Sequence, residues 1–139
     1  MTCTVRWTGD GMSFVAETGS GHLLAMDGAP EGGGRNLAPR PMETVLAGTG
    51  GCSAYDVVAI LRKSGQEVTG CEVALEAERA ATDPKVFTRI HMRYTVRGRN
   101  LKASLVEHAV RLSHEKYCSA SAMLAKTAEI TREVRIAEA

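Results

Sequence analysis

Alternation of apolar and polar residues predicts short β-strands in the first part of the chain. Glycines separate the alternating runs, as expected of turns. The stretch at residues 28–40 is rich in glycine and proline, and it predicts a mobile or irregular loop that carries Arg35 and Arg40. The three predicted strands cover residues 3–7, 13–17 and 22–26.

A helical pattern follows at residues 42–61, after Pro41, which suits the first turn of a helix. This segment is apolar on all sides, and it has no charged residue between positions 44 and 55, which predicts a buried helix. Each interior glycine costs a helix about 1 kcal/mol relative to alanine, so we expect close approach of another segment or chain. The glycines are Gly48, Gly50 and Gly51.

The second half predicts a hairpin, a helix, a short helix and a last strand. Both hairpin strands have one apolar face, and their other faces set acidic against basic residues, which favours antiparallel pairing. Ser119 is the expected cap of the short helix. In chain order the segments are residues 71–78 and 89–97 for the hairpin, 101–117, 119–125 and 130–136.

This element order predicts an α+β fold with helices against one face of a sheet. The length fits one domain, residues 1–139, which needs no metal or disulfide to fold. Because the central helix is apolar all round, we also expect a homodimer that covers it from both sides.

Composition and charge exclude several classes of function. The chain is 44% hydrophobic and 24% charged, as in ordinary globular proteins, and its net charge of +1 gives no general attraction to nucleic acid or anionic membranes. The sequence shows no signal peptide and no run of 18 apolar residues, so we expect a cytoplasmic protein without a membrane span.

The chain has four cysteines and no CxxC or CxxH pair, which makes a zinc site unexpected. In a reducing compartment such cysteines are usually free or catalytic. Cys3 and Cys71 lie on the apolar faces of predicted strands, and we interpret both as core residues.

Cys52 and Cys118 are the candidates for chemistry. Cys52 lies mid-helix among small residues that leave room for a substrate. Cys118 lies just before a helix N-terminus, where backbone N–H groups and the helix dipole lower the pKa of a thiol. Each also has an ordinary interpretation, because free cysteines often do no more than fill space in a core.

Glu43, Arg40 and Arg35 are candidate partners of a reactive thiol. Glu43 lies in the first helical turn, where glutamate is also favoured by the helix dipole. The two arginines could pair with a thiolate or a carboxylate, although solvated loop arginines are the simpler interpretation of each alone.

The two cysteine segments together resemble the OsmC/Ohr family, and among its branches the YhfA type. The resemblance rests on Pro41-Met42-Glu43 with Gly-Gly-Cys52 in a buried helix, and on residues 109–113 followed by Cys118-Ser119-Ala120-Ser121. It covers essentially the whole chain in the same element order.

The resemblance implies antiparallel sheets around a buried central helix and an intertwined homodimer with two active sites at its interface. It implies a cysteine-based peroxidase that needs no haem or metal and reduces organic hydroperoxides. Cys52 would attack the peroxide and become a sulfenic acid. Cys118 would resolve it as a disulfide, which a dithiol reductant reopens, with a lipoyl group as one candidate.

The sequence departs from the family's peroxidase pattern at two positions. Met42 stands where the peroxidases have a catalytic glutamate, with Glu43 one residue later, and Ser119 stands where proline commonly follows the resolving cysteine. Glu43 and Arg40 are therefore the candidates for the activating carboxylate and guanidinium. Two alternatives stay open: a non-catalytic dimer that senses redox state or binds a hydrophobic small molecule, and a structural protein with inert cysteines.

Overall fold

The computed structural model describes residues 1–139 and divides into two compact units, residues 1–47 and 48–139. Its strands and helices occur in separate blocks along the chain, so the protein is α+β, as predicted. The strands are β1 (Cys3–Trp7), β2 (Phe14–Thr18), β3 (Leu23–Met26), β4 (Glu67–Arg79), β5 (Phe87–Arg99) and β6 (Glu129–Glu138). The helices are α1 (Pro41–Lys63), α2 (Ala103–Leu112) and α3 (Ser119–Leu124).

The first unit contains an antiparallel sheet in the order β1-β2-β3. The three predicted strands are confirmed to within one residue at each end. Every residue of β1 is exposed in the single chain, so the interpretation of Cys3 as a core residue is wrong. Alternation identifies a strand, but it does not determine whether the chain itself covers the apolar face.

A buried carboxylate organises the loop after β3. Asp27 accepts N–H groups from Gly28 at 2.7 Å, from Leu37 at 3.1 Å and from Arg35 at 3.3 Å. The bonds from Leu37 and Gly28 lower the pKa of Asp27 against the opposing effect of burial. The loop is irregular, as predicted, but it is held by a specific set of bonds to one side chain.

The second unit contains a sheet in the order β4-β5-β6. The β4–β5 hairpin is antiparallel, and the predicted apolar pairs face each other, for example Val73 with Tyr94 and Leu75 with Met92. β6 instead pairs with β5 in parallel, so the expectation of purely antiparallel sheets is wrong here. The reason is topological, because α2 and α3 lie between β5 and β6 and form a crossover connection.

Alternate residues of β5 and one face each of α1 and α2 form the core of the second unit. Each of these side chains is almost fully removed from solvent, which is the main favourable term in folding. The core residues are Val57, Leu61, Phe87, Ile90, Met92, Tyr94, Val96, Val106, Ala109 and Val110.

α1 is buried along one stripe only. Its buried residues, Thr49, Gly50, Ser53, Val57 and Leu61, recur every one to four positions. Tyr55 on another side is 77% exposed, so the single chain covers only one side of the helix, and its burial on all sides stays a prediction that depends on the expected second copy.

α1 is also long and apolar enough to cross a bilayer by length and composition, with a mean hydropathy of 1.4 over 18 residues. This differs from the expectation drawn from uninterrupted apolar runs. Core helices of water-soluble proteins have the same composition, so the observation is weak on its own.

The predicted helix over residues 101–117 is interrupted. α2 ends at Leu112, and a π-helical turn covers Ser113–Tyr117. The turn closes with a bond from Cys118 N to Ser113 O at 2.8 Å. The sequence pattern misses this change because a single wider turn keeps the local residue preferences of an α-helix.

Candidate active site

The second unit brings together the two predicted thiols. Cys52 lies on α1 and is half-buried, whereas Cys118 follows the π-helical turn and is 2% exposed. Cys52 is close enough to Cys118 to raise the pKa of the Cys118 thiol, and both cysteines are free. A half-buried cysteine therefore lies close to a buried one.

Cys118 caps α3 with its own sulfur. Its Sγ accepts the Ser121 backbone N–H at 3.4 Å and the Ser121 hydroxyl at 3.1 Å. The predicted cap at Ser119 is therefore wrong by one residue, because the sulfur takes the position that a serine oxygen usually takes.

Burial raises the pKa of Cys118, which corrects the expectation of a lowered value. The two bonds from Ser121 act in the opposite direction, and the nearby Cys52 raises the pKa of Cys118 further. Burial prevails because it removes the thiolate from water, whereas two donors replace only part of that solvation.

A buried hydroxyl cluster lies behind the thiols. The Ser53 hydroxyl is 2.6 Å from Tyr94 OH and 2.8 Å from Ser113 Oγ. The Ser113 hydroxyl donates to Asp56 Oδ2 at 3.0 Å. Because the Ser113 hydroxyl donates to Asp56, the Ser53 hydroxyl donates to Ser113 and accepts from Tyr94 OH, whose proton also points to Met92 Sδ at 3.8 Å.

Sequence reasoning did not identify this cluster. Ser53 and Asp56 are three residues apart on α1, and two polar residues one turn apart in an otherwise apolar helix were the available signal. Ser113 and Tyr94 carried no comparable signal, because only the tertiary structure brings them to α1.

A mainly apolar cleft of about 540 Å³ runs along α1 from Gly51, the sequence neighbour of Cys52, although Cys52 itself does not line it. Cys71 lies in it and is half-buried, so the interpretation of Cys71 as a core residue is only partly correct. Burial raises the pKa of the Cys71 thiol. The lining residues are Gly51, Ala54, Tyr55, Val58, Ala59, Arg62 and Cys71.

The predicted arginines and carboxylate belong to the first unit. Arg40 pairs with Glu43 at 3.3 Å, and Arg40 N also donates to the Glu43 carboxylate at 3.0 Å. These contacts, the backbone one foremost, lower the pKa of Glu43. Arg35 instead forms a bidentate pair with Asp10, at 2.6 and 2.7 Å.

The chain is similar to known proteins over its whole length. The family model described as OsmC-like protein matches residues 32–133. Protein YhfA of Escherichia coli K12 is 45% identical over 139 residues, which is 100% of both chains.

Solved structures extend the similarity. A hypothetical protein from Aquifex aeolicus has a TM-score of 0.85 at 27% identity, over 99% of this chain and 96% of that one. An organic hydroperoxide resistance protein, OsmC, from Legionella pneumophila has a TM-score of 0.69 at 20% identity, over 97% of both chains, and shows a shared fold. By its sequence match over its full length, this chain belongs to the OsmC-like family and is similar to YhfA.

Proposed function

We propose that the protein is a cysteine-based peroxidase that reduces organic hydroperoxides. The observation that carries this proposal is the proximity of the half-buried Cys52 to the buried Cys118, which is close enough for Cys52 to raise the pKa of Cys118. A peroxidase of this kind needs one sulfur that a substrate can reach and a second sulfur close enough to form a disulfide with it. The fold shared with a hydroperoxide resistance protein supports the same proposal.

The Cys52 thiolate attacks the peroxide, the O–O bond breaks, and a Cys52 sulfenic acid forms while the leaving alkoxide takes a proton from water to become an alcohol. The Cys118 sulfur then forms a bond to the Cys52 sulfur, and the hydroxyl leaves as water. A dithiol reductant, with a lipoyl group as one candidate, returns both cysteines to thiols and is itself oxidised to a disulfide. The apolar cleft beside α1 suits the organic part of the substrate.

Consumption of cumene hydroperoxide with dithiothreitol as reductant tests this function. We expect turnover by the native chain, none by Cys52→Ser, and a sulfenic acid without an intramolecular disulfide in Cys118→Ser. Cys3→Ser is the matched control, because Cys3 is exposed and lies outside the thiol pair. A native chain no faster than dithiothreitol alone would overturn the proposal.

We further propose that Arg40 and Glu43 assist Cys52, in the roles of the activating guanidinium and carboxylate of the family's peroxidases. Their pairing at 3.3 Å supplies a guanidinium held by a carboxylate, an arrangement suited to thiolate activation. Arg40→Leu should then slow sulfenic acid formation, whereas Arg35→Leu, which removes the Asp10 pair, should not. Equal rates in the two variants would exclude Arg40.

We also propose a single-domain cytoplasmic homodimer. Tyr55 on α1 is 77% exposed, and Leu23 on β3 is 74% exposed, which a second copy of the chain would cover. Light scattering on the purified protein should give twice the chain mass of 14.8 kDa. A monomer mass would contradict the dimer.

The second candidate is a non-catalytic dimer that senses redox state or binds a hydrophobic small molecule. The cleft of about 540 Å³, with Arg62 among its mainly apolar lining, favours this alternative. Mass spectrometry of the native protein would then find a retained ligand, and the thiols would react slowly with hydroperoxide.

A further inference from the structure

The hydroxyl cluster connects the backbone segments that carry the two cysteines. Ser53 is the covalent neighbour of Cys52, and its hydroxyl contacts Ser113 Oγ at 2.8 Å. Ser113 O in turn accepts the Cys118 N–H at 2.8 Å. Ser113 therefore bonds to the neighbour of Cys52 with its side chain and to Cys118 with its carbonyl.

Asp56 adds a second attachment to the same residue. It is one helical turn after Ser53 on α1 and accepts the Ser113 hydroxyl at 3.0 Å. Ser113 is 0% exposed and Ser53 is 1% exposed, so water does not compete for the bond between their hydroxyls. In the structure no buried side-chain nitrogen or oxygen lacks a partner, so the cluster is fully satisfied.

The π-helical turn gives this attachment its geometry. A wider turn brings the Cys118 N–H to Ser113 O, five residues earlier, instead of four. The same residue therefore faces α1 with its side chain and holds Cys118 with its carbonyl.

We propose that Ser53, Asp56 and Ser113 form a positioning clamp that holds Cys118 at Cys52 and so favours the disulfide between them. The proposal rests on the proposed function in taking that disulfide as part of the working cycle. The clamp residues touch neither peroxide nor reductant. They act by limiting the positions that the Cys118 sulfur can take, which raises its effective concentration at Cys52.

The equilibrium with glutathione measures this quantity without any peroxide. Two protein thiols and one glutathione disulfide give the protein disulfide and two glutathione thiols, so the equilibrium constant is an effective concentration. The bridged fraction is quantified by peptide mapping of the full chain, which separates Cys52–Cys118 from other pairings.

We expect Ser113→Ala and Asp56→Ala each to lower the effective concentration by about three- to tenfold, the factor that corresponds to one net hydrogen bond. The double variant should lose less than the product of the two factors, because both changes remove the same bond. Asp56 is only half-buried, so its variant tests the clamp even if Ser113→Ala folds poorly.

Tyr94→Phe is the matched control. It also removes one buried hydroxyl from the cluster, at 2.6 Å from Ser53, but Tyr94 forms no hydrogen bond to Ser113, the residue that holds Cys118. It should lower the free energy of unfolding and leave the effective concentration within about twofold of the native value.

Three results would overturn the clamp. They are an unchanged effective concentration in both alanine variants, an equal loss of effective concentration in Tyr94→Phe, or no Cys52–Cys118 disulfide in the native chain. If the clamp variants lose effective concentration while the native chain fails to reduce cumene hydroperoxide, the clamp stands and the peroxidase function is wrong.

Discussion

At the scale of single residues, Cys118 shows two opposing effects on one sulfur. Burial disfavours the thiolate, whereas the Ser121 hydroxyl at 3.1 Å and the Ser121 N–H favour it. The pKa is raised because desolvation is the larger effect. Ser121 is thus the side chain that most directly limits this rise.

Replacing Ser121 with alanine should slow disulfide formation about three- to tenfold at pH 7, since the hydroxyl bond to the thiolate is lost. The sign follows from the thiolate: a donor stabilises it, so loss of the donor raises the pKa of Cys118 and leaves less thiolate at neutral pH. Stopped-flow measurement after one equivalent of cumene hydroperoxide should show that the rate of disulfide formation rises with pH. In Ser121→Ala the same rise should occur at a higher pH.

Ser119→Ala is the control for this experiment, because Ser119 is exposed and does not contact the sulfur. Coincident pH profiles for the two variants would show that Ser121 has no role in the resolving step.

At the scale of elements, α1 contains three interior glycines with different surroundings. A Cβ added at Gly50 would lie 2.7 Å from Leu75 Cδ1, whereas one added at Gly48 would meet nothing within 4 Å. The predicted close approach therefore holds at Gly50, where the helix meets β4.

Gly50→Ala should lower the free energy of unfolding by about 1–2 kcal/mol, because overpacking against Leu75 outweighs the gain in helix propensity. Gly48→Ala should raise it by up to about 1 kcal/mol, since it gains the propensity without a clash in the chain. Urea unfolding of both variants measures the difference. The same change in both would mean that Leu75 moves aside freely or that a second chain covers Gly48.

At the scale of the whole molecule, three acidic groups of the second unit keep their protons at alkaline pH, where the unfolded chain would release them. Burial is the first cause of a raised pKa at Cys71, Tyr94 and Cys118. The three groups lie close enough to interact, since Cys71 and Cys118 each raise the pKa of Tyr94.

The free energy of unfolding should therefore fall as pH rises above about 9, the ordinary pKa of a thiol being 9.0. Above that pH the unfolded chain binds fewer protons than the folded one, so the slope with pH is negative. Urea midpoints of the reduced protein at pH 7 and pH 10 measure the fall. Cys71→Ala should show a smaller fall, and a midpoint independent of pH would contradict the explanation.

The sequence alone determined the hairpin, the first three strands and the α+β class. It succeeded there because alternation and turn residues act locally, and the pairing of Leu75 with Met92 follows from one apolar face on each strand. The sequence also singled out Cys52 and Cys118 as candidates for chemistry, through their spacing and the segments around them.

Only the tertiary structure decided the raised pKa of Cys118, the parallel pairing of β6 and the hydroxyl cluster around Ser113. Each depends on residues distant in sequence: burial is produced by all the elements that cover a group, and Ser53 and Ser113 are 60 residues apart. A pattern read along one segment reports the preferences of that segment. It does not report which other segment folds onto it, and that contact sets the environment of the two thiols.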